Sequence, residues 1–223
     1  MADREAAGPQ VLMLGWLTDL SGSVTASLRR AAIAVKHAHP PCARVPIRTP
    51  WHTTGSPAPL LSAAEIDSIE SVITIFDGRS VRSRFGGRRT IAWHRRLRAC
   101  ENEACELATA TALTVGARRV LLICDARRLP PGRRAIALRW TRGLTHRIGY
   151  ECLVNGLPEL AASCAVINTD DDVREVAAAV VSWHTGHDAD RQRWPLHPVA
   201  RNTGTRDTGV TPASSAPHRN PQS

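Results

Sequence analysis

Four short runs of consecutive apolar residues, each followed by a longer stretch able to form a helix, narrow most sharply what this chain can fold into. They are Val11-Leu12-Met13-Leu14-Gly15-Trp16-Leu17, Val72-Ile73-Thr74-Ile75-Phe76, Val120-Leu121-Leu122-Ile123-Cys124 and Cys164-Ala165-Val166-Ile167-Asn168. A strand with one wet face alternates apolar and polar residues, whereas an unbroken apolar run is the mark of a strand buried on both faces. Such strands alternating with helices predict a three-layer α/β fold, a mostly parallel sheet covered on both sides. Ligands in these folds bind outside the carboxyl ends of the strands. Chemistry is therefore expected at the turn 18–23, at the Asp77-Gly78 corner and at the Asp125 corner.

Between the strands, a helix is predicted from Val24 to His39, stopped by Pro40-Pro41. Residues 40–60 hold six prolines and read as a loop-rich insertion with room for a short strand over 43–47. Leu61–Glu70 reads as a short helix, with Ser62 and Glu65 at capping-box spacing. A long helix is predicted over Ile91–Thr114, with Gly116 as its stop, and an arginine-rich one over Arg133–Trp140 after Pro130-Pro131-Gly132. The last helix follows Asp170-Asp171-Asp172, acids that suit the positive end of a helix dipole, and carries a stripe of Val173, Val176, Ala177, Val180 and Val181. One domain over 10–187 is expected, with a flexible leader at 1–9 and a disordered basic tail at 188–223.

At 223 residues and 43% hydrophobic, the chain has enough material for one ordinary core. No apolar run approaches the roughly 20 residues that span a bilayer, and the first residues lack the apolar segment of a signal peptide. No membrane partner and a cytoplasmic location are expected. The six cysteines form no CxxC pair and no zinc spacing, so no metal site is assigned and Cys124 and Cys164 read as buried thiols. His146 and His184 have no partner at catalytic spacing and read as packing or surface residues.

The net charge is +9, carried almost wholly by arginine, since Lys36 is the only lysine. Such a balance attracts polyanions, and arginine presents a planar fork to phosphate. The run from Arg79 to Arg98, with Trp93 and His94 inside it, reads as a solvated face, a nucleotide-phosphate clamp or a nucleic-acid patch.

Trp16-Leu17-Thr18-Asp19-Leu20-Ser21-Gly22-Ser23 resembles the opening of the adenylylsulfate kinases, which read WLTGLSGAGKST. Further echoes follow in the family's order. Phe76-Asp77-Gly78-Arg79-Ser80-Val81-Arg82 resembles LDGDxVR, Thr141-Arg142-Gly143-Leu144-Thr145 resembles the KGLY of a mobile lid, and the segment 164–181 resembles the closing strand and helix. The resemblance implies a P-loop kinase-type fold that binds ATP and Mg²⁺. The reaction would move the γ-phosphate to the 3′-hydroxyl of adenylylsulfate, a sulfonucleotide. It places the phosphate loop at Ser21, Gly22, Ser23, Val24, Thr25, Ala26 and Ser27, with Asp77 as the catalytic residue that positions or deprotonates the acceptor. Arg82 and Arg142 would hold substrate.

The physics of that loop bears on activity. A P-loop needs glycines to turn backbone N–H groups onto phosphate and a lysine to neutralise it. Val24 stands where glycine is expected and Thr25 where the lysine is, and Lys36 lies too far along to substitute. The alternatives are a catalytically silent relative that binds a nucleotide or a partner protein, and a basic nucleic-acid-binding protein. No signal for an oligomeric state is present.

Overall fold

The computed structural model describes residues 10–38, 61–186 and 197–198. The leader at 1–9, the insertion at 40–60 with the short strand expected there, and most of the tail lie outside those residues. Among the described residues the sheet has six strands in the order β2-β1-β3-β4-β5-β6. These are β1 (Val11–Leu14), β2 (Val35–Ala38), β3 (Ser71–Phe76), β4 (Arg119–Asp125), β5 (Ala161–Ile167) and β6 (His197–Pro198). The first five pair in parallel, and β6 is antiparallel to β5. The three-layer, mostly parallel α/β architecture is thus present. The tail, expected to be without structure, contributes a two-residue edge strand.

The layers follow from strand alternation. Leu12, Leu14, Val72, Phe76, Val120, Leu122 and Cys124 point into one core with α3 (Gly78–Phe85), α4 (Ile91–Thr114) and α5 (Pro131–Val154). Val11, Met13, Ile73, Ile75, Leu121 and Ile123 point the other way, onto α1 (Asp19–Arg30) and α6 (Asp170–Thr185). Consecutive strand residues face opposite sides, so continuous apolar runs fill both cores.

Several boundaries differ from expectation, each for a local reason. β1 stops at Leu14, because Gly15 turns with φ 148° and leaves Trp16 and Leu17 exposed. Thr18 accepts the N–H of Ser21 and Ser21 reciprocates, so a capping box starts α1 at Asp19, not at Val24. That helix ends at Arg30 instead of His39, the chain turns through Ala32 at φ 59°, and residues 35–38 become a sheet edge. Lys36 on that edge donates to Glu65 of α2 (Ala63–Ser68), whose Ser62–Glu65 capping box forms as expected. α3 was not foreseen, and α5 is far longer than 133–140. α4 has the expected bounds, and Gly116 beyond it adopts φ 59°. Cys124 and Cys164 are buried free thiols, and burial pushes Cys124 up to about 12.

The edge of the sheet opposite the carboxyl ends holds a buried histidine. Nδ1 of His184, in the last turn of α6, lies 2.9 Å from the Ser71 hydroxyl on β3. Burial lowers its pKa, with Arg119 acting in the same sense and Glu70 against. A base held neutral in the fold but free to protonate when unfolded stabilises the protein fully above its ordinary value near 6.5. That stability is lost as pH falls from there through the folded pKa. Thermal melts of wild type and His184→Asn between pH 8 and pH 5 are expected to converge toward the acid end, about 6.5 being where the gap begins to close. A gap that stays constant with pH would show that His184 packs without titrating.

No helix among the described residues is long and apolar enough to cross a membrane.

Candidate functional site

The strand order reverses direction of winding between β1 and β3, and the crevice at such a switch point is where doubly wound sheets bind ligands. An open cavity of about 810 Å³ lies there, at the carboxyl edge of the sheet. Its walls are the β1–α1 turn (Trp16 to Asp19), the β3–α3 corner (Asp77 to Ser80), the β4–α5 loop (Asp125, Arg127, Arg128) and Asp170 at the start of α6. Gly78 allows two of these walls to touch. A Cβ there would sit 3.0 Å from Asp125 Oδ2 and 3.5 Å from Arg128 Cδ.

Four carboxylates line the crevice, and all are engaged by the protein itself. Asp77 caps α3. Its Oδ1 accepts the N–H groups of Arg79 (2.9 Å) and Ser80 (3.0 Å), and its Oδ2 accepts the Ser80 hydroxyl at 2.6 Å. Burial alone would raise its pKa. The hydrogen bonds from Ser80 and Arg79, helped by the charge of Arg84, outweigh that and leave it lowered, so it is an anion at neutral pH.

The other three converge on one guanidinium. Asp125, 6% exposed, accepts Arg127 Nε at 3.0 Å and Nη2 at 2.8 Å, together with the Arg127 backbone N–H at 3.1 Å. Arg127 Nη1 donates to Asp19 and Asp170 at 2.7 Å each. The hydrogen bond from Arg127 lowers the Asp19 pKa, and the three acids raise that of Arg127 well above the ordinary guanidinium value. One arginine therefore ties the turns after β1, β4 and β5 together.

The other side chains that reach the crevice mouth are cationic or apolar. Arg79 and Arg128 form no ion pair with any described residue. Trp16 and Leu17 are 40% and 67% exposed at the mouth. A crevice with satisfied acids, two available guanidinium forks and an exposed indole suits an anion attached to a flat or apolar body.

Of the site residues that the resemblance implies, only Asp77 lines this crevice, although the expected corners at 18–19 and Asp125 also form its walls. Ser21, Gly22, Ser23, Val24, Thr25, Ala26 and Ser27 are all helical positions of α1, where no loop exists to wrap phosphate. The physical reason lies in the cap and in burial. Thr18 takes the N–H groups of Ser21 and Gly22, and Ser21, Val24, Thr25 and Ser27 are buried. The Thr25 hydroxyl donates to Ser21 O and lies 2.9 Å from His37 Nε2. The Ser27 hydroxyl accepts from Arg30 at 3.0 Å, and Ala26, which stands where a P-loop carries its Mg²⁺-binding hydroxyl, has none to offer. ATP and Mg²⁺ held through this segment do not fit the residues present. Among the described residues no group of three or more His, Cys, Asp or Glu is placed to hold a metal.

Neither Arg82 nor Arg142 lines the crevice. Arg82 is exposed on α3, and Arg142 is exposed near the middle of a continuous 24-residue helix instead of on a lid. Arg127, Arg128 and Trp16 were missed as site residues. The only sequence signal for them was the position of their neighbours, Asp125 and Thr18, at the ends of apolar runs. No protein-family model matches the chain, and a search of curated proteins returns no match either.

Proposed function

We propose that this protein binds an anionic small molecule of the nucleotide class in the crevice between β1, β3 and β4, and that it does so without transferring phosphate. The observation that carries this reading is the pair Arg79 and Arg128, free of ion pairs with described residues, beside exposed Trp16 at the switch point of the sheet. Guanidinium forks match phosphate or sulfate oxygens in pairs, and an indole offers a stacking surface to a base. Phosphoryl transfer depends on a preorganised cradle of N–H groups and cations around the moving group. In its place stand the helical residues Ser21–Ser27.

Isothermal titration with ADP, AMP and adenylylsulfate tests the reading. Saturable binding is expected with wild type, and Arg79→Gln with Arg128→Gln should weaken it about 100-fold or more, at about 1.5–3 kcal/mol per charged hydrogen bond. Trp16→Ala should weaken it about fivefold or more, given about 1–3 kcal/mol for stacking one base. No heat with any of these ligands would end the nucleotide reading. A radiolabelled ATP assay with Mg²⁺ and adenylylsulfate is expected to give no 3′-phosphoadenylylsulfate, and labelled product would restore the kinase reading.

A further inference from the structure

The arginines of this chain are distributed unevenly, and the fold brings two separate runs of them to one side. Residues 78–100 carry eight arginines and residues 131–150 carry five, with no aspartate or glutamate in either stretch. The first stretch is α3 and the beginning of α4, and the second is most of α5. All three helices pack on the same face of the sheet, where Phe85 of α3 meets Trp140 of α5 edge-on with ring centroids 5.5 Å apart.

Two hydrogen bonds set the register. Arg133 Nη2 donates to Gly87 O at 3.0 Å, and further along Arg147 Nη1 donates to Asn102 Oδ1. The two long helices thus advance together, and their arginine-rich first halves lie side by side. The acids of α4 (Glu101, Glu103, Glu106) and of α5 (Glu151) come only beyond those halves. Arg88, Arg89, Arg95, Arg96, Arg139 and Arg142 are exposed, and none of the arginines in either stretch forms an ion pair with a described carboxylate.

We infer that this α3–α4–α5 face binds the sugar-phosphate backbone of a nucleic acid. A duplex presents one negative charge per roughly 1.7 Å of axis, and the first ten residues of α4 cover roughly 15 Å at about 1.5 Å per residue. Several phosphates can therefore be met at once. Arginine suits this role through its fork, which pairs with two phosphate oxygens. A lipid surface fits less well. An interfacial helix needs an apolar face beside its basic one, and in this half Ile91 is the one large apolar side chain exposed among the described residues. Tyr150, Leu153 and Val154 are at the far end of α5.

The test is fluorescence anisotropy of the full chain with a short labelled duplex DNA and with a single-stranded RNA, across a KCl series. Binding to at least one is expected. The variant Arg95→Gln/Arg96→Gln/Arg139→Gln/Arg142→Gln removes four exposed cations from the face. It should make the duplex log–log salt slope shallower by about 0.9 for each phosphate that is no longer neutralised. Its melting curve, compared with wild type, separates weakened binding from unfolding. Arg29→Gln/Arg30→Gln on α1, on the opposite side of the sheet, should leave both affinity and slope unchanged. Absence of binding to either probe overturns the proposal. So does a quadruple variant with an undiminished slope, which would put the binding in the arginines beyond residue 187. Binding to phosphatidylserine vesicles without binding to either oligonucleotide would assign the face to membranes instead. Because Arg79, Arg128 and Trp16 are intact in the variant, crevice binding of ADP reports separately on the fold and on the small-molecule reading.

Discussion

Replacing Arg127 by methionine is expected to destabilise the protein by about 3 kcal/mol or more, because breaking a buried ion pair from one side leaves the other charge uncompensated. The effect comes mainly from Asp125. That carboxylate is 6% exposed, and without the Arg127 side chain its remaining described donor is the backbone N–H at position 127. Asp19 and Asp170 are 65% and 88% exposed, so losing their shares of the guanidinium should matter little. Urea unfolding measures the loss, and one control identifies its source. Asp125→Asn combined with Arg127→Met should recover much of the stability, since the amide carries no charge to strand. A loss below about 1 kcal/mol, the scale of an exposed pair, would show that Arg127 holds the surface turns only. Affinity for an anionic ligand should fall with stability, because the same guanidinium fixes three of the turns that wall the crevice.

How far the sequence could be read depended on whether a signal was local. Continuous apolar runs revealed the four inner strands, because burial on both faces leaves no polar position to confuse the pattern. The span Ile91–Thr114 was legible to the residue, bounded by the cap Thr90 and by Gly116 beyond. β2 was not legible. Val35–Ala38 is a half-buried edge strand, and Ala31-Ala32 before it favour a helix that the turn at Ala32 overrides. α3 was hidden by its arginines, with Val81 and Phe85 as its only buried large residues at helical spacing.

The site was less legible than the fold for a related reason. The corners that hold Asp19, Asp125 and Asp170 are visible in sequence, but nothing local links them, and only the parallel order of β1, β4 and β5 brings them to one guanidinium. The resemblance to adenylylsulfate kinases pointed at the turn after β1, which forms one wall of the crevice. It assigned the wrong conformation there, since reciprocal bonding between Thr18 and Ser21 makes helix where a phosphate loop would need extended, glycine-rich backbone. Asp77 was found because it ends an apolar run, and its hydrogen bonds show it capping α3.

The crevice also depends on Gly15, and Gly15→Ala is expected to cost about 3 kcal/mol, combining strain of about 1–3 kcal/mol for a backbone region that only glycine occupies readily with a steric conflict. Gly15 has φ 148°, and a Cβ would lie 2.9 Å from the carbonyl oxygen of Ile75 and 3.2 Å from its Cβ. Both atoms belong to the rigid neighbouring strand, so the partner free to move is the turn carrying Trp16, Leu17, Thr18 and Asp19. Strain should therefore be relieved by displacing that turn, which carries the exposed indole and one of the three acids on Arg127. The variant should unfold at lower urea and bind ADP more weakly, with the affinity loss exceeding that of Trp16→Ala alone, because the turn moves as a unit. A variant that loses stability yet keeps wild-type affinity would show that β1 yields instead of the turn. The ligand would then have to rest on the β3 and β4 corners, on Arg79 and Arg128, without help from the first turn of the sheet.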